Sequence, residues 1–101
     1  REQLDRETRR VTDRLRGLVL ERLTRPGGDG TTPADRARTC AQTLADLAAD
    51  AAGRARRPVP RTQPHGSADQ VAVTAHDVRD EGGDAQLDAA LAALIALRRT
   101  L

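Results

Sequence analysis

The chain contains no Phe, Trp, Tyr, Met or Lys, and a single cysteine, Cys40, among its 101 residues. Each absence removes a class of function. Without Phe, Tyr or Trp the usual platforms for stacking single-stranded bases are missing. Without Lys there is no phosphate-loop lysine, and Gly27, Gly28 and Gly30 follow a helical pattern where such a loop needs a strand before it. Without Lys or Tyr, acid–base chemistry would fall to His or carboxylates. Neither His65 nor His76 sits in a catalytic constellation, so no catalytic residue is assigned and no enzyme is expected. One thiol forms no intrachain disulfide and no CxxC motif, which makes a reducing cytoplasm the expected location. The longest apolar run, Ala89–Leu97, falls far short of the roughly 20 residues that cross a bilayer, and no signal-peptide pattern is visible.

Large side chains are also scarce. Twelve Leu, six Val and one Ile are set among 18 Ala. A buried Leu or Val contributes about 1.5–3 kcal/mol, against about 1–2 kcal/mol of backbone entropy for every residue ordered. So few large aliphatics imply Ala-rich, well-capped helices, burial across an oligomer interface, or both.

The periodicity predicts four helices in one domain spanning residues 1–101. The first covers about 2–25, with Leu4, Val11, Leu15, Leu18, Val19 and Leu23 on one stripe and Pro26-Gly27-Gly28 as the stop. The second covers about 33–57. Thr32-Pro33-Ala34-Asp35 starts it, a small-residue stripe through Ala37, Cys40, Ala41, Leu44, Leu47, Ala48, Ala51 and Ala55 follows, and Pro58 ends it. Residues 58–66 read as a stiff, Pro-rich connector. Ser67-Ala68-Asp69-Gln70 reads as a capping box for a third helix, about 68–80, with Ala68, Val71, Ala75 and Val78 inward. Gly82-Gly83 breaks it, and Asp84 is the expected N-cap of a fourth helix, about 85–101. The expected fold is all-α: a small antiparallel four-helix bundle of two long helices, a connector and two shorter helices.

The fourth segment is apolar on every face from Ala89 to Leu97. A helix of that kind is expected to be buried all round, either centrally or against a second subunit. The candidate interface is Ala89, Ala92, Ala93, Ile95 and Ala96. The leading expectation is a small non-enzymatic interaction protein, forming a homodimer and meeting a further protein partner. The alternative is an Arg-mediated binder of nucleic acid or another anion, through Arg54, Arg56, Arg57 and Arg61, the densest basic run. Charge is unevenly split: residues 1–61 hold 14 Arg against nine acids, residues 62–101 three Arg against six. Asp69, His76 and Asp80 share a helix face, but a solvated acidic surface is the expected reading, with no metal site and no cofactor. Cys40 is expected to be a buried structural thiol at the seam of the first two helices.

Overall fold

The computed structural model describes residues 1–101. It is all-helical, with 72% of residues in helix and no strand. Five α-helices occur: α1 (Glu2–Arg16), α2 (Leu20–Leu23), α3 (Pro33–Ala52), α4 (Ser67–Glu81) and α5 (Asp84–Arg99), with a 3₁₀ turn at Pro64–Gly66 before α4.

The first predicted helix is two. α1 ends at Gly17, where a missing side chain weakens helical preference, and Val19 takes an extended conformation. The break lets α2 turn back so that Leu23 is buried, while Val19 (63%) and Leu20 (58%) are left exposed. Val19 therefore lies off the core stripe to which its spacing assigned it.

The start of α3 follows the sequence signals. Thr32 Oγ1 accepts from the Asp35 N–H at 3.0 Å, and the Asp35 carboxylate accepts from the Thr32 N–H at 3.0 Å. Its end does not. The helix stops at Ala52, five residues before the expected boundary, because Gly53 adopts φ 69°, a left-handed conformation that costs glycine little. The Arg54 N–H then bonds back to the Ala49 carbonyl at 2.9 Å, closing the helix before Pro58 is reached.

The connector is longer than expected and is tied down. It runs back along α3 with Val59 buried. Gln42 of α3 accepts the Val59 N–H at 2.8 Å and donates to the Arg57 carbonyl at 3.0 Å. Arg38 donates to the Val59 carbonyl, and Gln70 of α4 to the Pro60 carbonyl. Gln70 is thus occupied, and the expected capping box is absent. Pro64–Gly66 leads straight into α4, Ser67 already has helical angles, and its hydroxyl donates to the Pro64 carbonyl at 2.6 Å. Asp84 is likewise the first residue of α5, not its cap; the Gln86 side-chain oxygen accepts the Gly83 N–H instead.

The core joins Leu4, Val11 and Leu15 of α1, Ala37, Cys40, Ala41, Leu44 and Ala48 of α3, Ala68, Val71, Ala75 and Val78 of α4, and Ala90, Leu94 and Leu97 of α5. The most extensive packing is α3 on α4, followed by α1 on α4, α1 on α5 and α3 on α5. α1 and α3 hardly touch, so Cys40, although buried, does not mark a broad seam between them. α4 and α5 also share little surface. Asp5–Arg79 and Arg16–Asp69 tie opposite ends of α1 and α4, so these two run in opposite directions. Arg98–Glu7 and the Arg14 bond to the Leu101 carbonyl make α5 run the same way as α1.

Gly82 is the tightest point of the link between α4 and α5. A Cβ there would lie 2.6 Å from the Val78 carbonyl oxygen and 3.2 Å from Gln86 Cβ. Gly82→Ala is therefore expected to cost about 1–3 kcal/mol through overpacking. Gly28→Ala, in open space, should stay within about ±0.5 kcal/mol. Urea unfolding followed by circular dichroism measures both.

Candidate functional site

α5 supplies the surface that stands out. Its inward side buries Ala90, Leu94 and Leu97, with Leu87, Leu91, Ala93 and Leu101 packed partly against the core. Its outward side is not covered: Ala89, Ala92 and Ala96 are exposed, as is Ala85, and Ile95 is half-buried. The expectation of burial all round is corrected here. α5 lies at the edge of the molecule, packed on α1 and α3, and within one chain its outer face meets solvent. Of the five candidate interface residues, Ala89, Ala92, Ile95 and Ala96 share the outward side, whereas Ala93 belongs to the core side. Ala85 was missed, because it precedes the continuous apolar run.

A groove of about 190 Å³ runs beside this face, between α1 and α5. Leu91 and Ile95 supply its apolar lining, and Arg6, Arg10 and Arg98 its charge. Glu7 stands in its wall with a side chain only 4% exposed. Arg98 Nε donates to Glu7 Oε1 at 2.5 Å, and Arg10 approaches Glu7 Oε2 at 3.6 Å. A carboxylate this deeply buried needs such partners, because desolvation otherwise outweighs the attraction that folding gains. Sequence reading missed Glu7 and Arg98. The available signal was a Glu three residues after Leu4 and four before Val11, inside the core stripe.

The basic run does not form a free patch. Arg54 pairs with Glu81 of α4. Arg56 is gripped by Asp50, with Nη2–Oδ2 at 2.7 Å and Nε–Oδ1 at 3.0 Å, and stands 3.9 Å from Asp46. The hydrogen bond from Arg56 holds the Asp50 carboxyl below its ordinary range, and Asp50 in turn raises the guanidinium. Arg57 and Arg61 are exposed and take part in no ion pair. Two of the four candidate phosphate contacts are thus already neutralised within the chain.

Asp69 is held by Arg16 at 2.9 Å and Asp80 by Arg79 at 3.2 Å, with His76 exposed nearby. No group of three or more His, Cys, Asp or Glu side chains converges anywhere in the molecule.

Burial pushes the Cys40 thiol up to about 11 from an ordinary value of 9.0. The buried group is therefore a protonated thiol at neutral pH and a poor nucleophile. The unfolded thiol ionises before the folded one, so the contribution of Cys40 to stability should be constant below pH 9 and fall as pH rises from 9 to 11. A thiol reagent at pH 8 is expected to react slowly with the folded protein and fast in denaturant; equal rates would show Cys40 to be accessible. Cys40→Ser should cost about 1–3 kcal/mol, since the added hydroxyl needs a partner.

No family model, curated protein or solved structure matches this chain.

Proposed function

We propose that this protein is a small non-enzymatic helical-bundle module that acts through protein–protein contact along the outer face of α5, as a homodimer and with an adaptor or regulatory role toward a further protein. One observation carries the reading. Between Asp88 and Arg99 the solvent-facing side of α5 offers Ala89, Ala92, Ile95 and Ala96, and the one charge in that stretch, Arg98, is turned toward Glu7 of α1. The exposed side of α1 carries Glu2, Arg6, Arg9, Arg10 and Asp13, as a helix facing water ordinarily does. A contiguous apolar strip on a domain this small is typical of a contact surface. Small side chains there let a second helix approach closely, which increases van der Waals contact. A cytoplasmic setting suits the lone free thiol.

A second reading, anion binding, is favoured at a different place from the Arg54–Arg61 run. Arg6 and Arg10 stand four residues apart on α1, with Arg98 across the groove, and Glu7, partnered by Arg98 and Arg10, is the one acid in its lining. Binding of this kind would weaken steeply with salt.

Ala92→Arg tests the leading reading. In a dimer it would bury an unpaired charge on each subunit, so it should convert a particle of twice the chain mass into one of single mass by light scattering. A wild-type particle of single mass at high concentration would exclude self-association. Retention of DNA by the wild type at low salt, lost in Arg6→Ala/Arg10→Ala, would favour the second reading.

A further inference from the structure

The outer face of α5 carries a double row of residues at heptad spacing, apolar at its middle and charged toward its ends. Ala85, Ala92 and Arg99 recur every seven residues, and Asp88 and Ile95 interleave with them at the same period. Asp88 and Arg99 are exposed and enter no ion pair within the chain. They are the only charges in this double row, one near each end of the helix.

We propose that α5 pairs with α5 of a second copy in antiparallel orientation, about a two-fold axis between Ala92 and Ile95, so that Asp88 of each copy meets Arg99 of the other. This rests on the reading of α5 as the contact face and adds the partner's orientation and register. Two independent matches select that register. In the antiparallel arrangement Ala92 lies against Ile95 of the second copy, a small side chain opposite a large one, which fills space from both sides. Asp88 is four residues before Ala92 and Arg99 four after Ile95. The register that matches the apolar pair therefore matches the charges as well, twice per dimer. A parallel pair in the same register would set Asp88 on Asp88 and Arg99 on Arg99, and like charges placed opposite one another are unfavourable. Antiparallel helices also place each N-terminus beside a C-terminus, so their dipoles attract.

Charge reversal tests the register. Asp88→Arg alone and Arg99→Asp alone should each weaken the dimer by about tenfold or more, and the double variant Asp88→Arg/Arg99→Asp should restore it. Sedimentation equilibrium at low and high salt reads the constants, and circular dichroism confirms that each variant is folded. A nitroxide on Ala85→Cys reads the orientation, Cys40 being buried. The two labelled backbone positions should lie roughly 25 Å apart along antiparallel helices, at 1.5 Å per residue, against about 10 Å for parallel ones. A dimer lost in Ala92→Arg but indifferent to both reversals, or one with the short label distance, overturns the register and leaves the contact face standing. A wild-type monomer overturns both.

Discussion

The structure is governed by the shortage of side chains that can fill space. With no Phe, Tyr or Trp and 19 large aliphatics in the chain, helices can exclude water from between them only by coming close. Alanine makes this possible. The broadest contact in the molecule is α3 on α4, and the buried residues of these two helices are largely small: Ala37, Ala41 and Ala48 of α3, Ala68 and Ala75 of α4. Leu44, Val71 and Val78 fill what remains, each fully buried. Buried hydroxyls fit the same scheme because they need no outside partner. Thr8 bonds to the Leu4 carbonyl, and Thr74 to the Gln70 and Val71 carbonyls, within their own helices.

Close packing works here only between the two halves of the chain. α1 and α3 scarcely touch, and α4 and α5 touch little, so each helix finds its main neighbours in the other half. The charge distribution suits that arrangement. The Arg-rich first 61 residues face an acidic remainder; Arg16–Asp69 and Arg54–Glu81 cross between them in that sense, and Asp5–Arg79 and Glu7–Arg98 cross with the acid in the first half. The first three pairs are wholly or partly open to solvent and contribute little individually. Glu7–Arg98 differs, because removing Arg98 leaves the buried Glu7 carboxylate without its main partner in a water-poor place. The long connector follows from the same topology. α3 and α4 end together at Arg54 and Glu81, so the chain must travel back beside α3 before α4 can start. Gln42, Arg38 and Gln70 hold it to the surface by its backbone on that return path.

This arrangement leaves α5 with one side unused. It serves as the lid on α1 and α3 through Ala90, Leu94 and Leu97, and nothing in the chain lies against its other side. The basic groove beside it is a product of assembly. Arg6 and Arg10 come from α1, Arg98 from α5, and they are some 90 positions apart in the sequence. The contiguous run Arg54–Arg61, by contrast, loses much of its free charge to Asp50 and Glu81 once folded.

Local signals in the sequence determined the helices as a class, most of the inward residues of each long one, the helix start at Thr32–Asp35 and the breaks at Pro26 and Gly82-Gly83. These depend on periodicity and on the chemistry of a few neighbouring residues, which tertiary packing had no reason to override. Tertiary structure decided where competing local signals resolved. Gly53 ended α3 ahead of Pro58, and Gly17 split the first helix so that Leu23 could reach the core. Gln70 reached the connector instead of capping α4. It also decided everything that depends on which helices are neighbours: the burial of Glu7 beneath Arg98, the neutralisation of Arg54 by Glu81, and the exposure of Ala89, Ala92 and Ala96. A helix apolar on all sides shows in its sequence that it has more surface to bury than one partner can cover. Which side stays open is set by the partners it meets, and those come from distant parts of the chain.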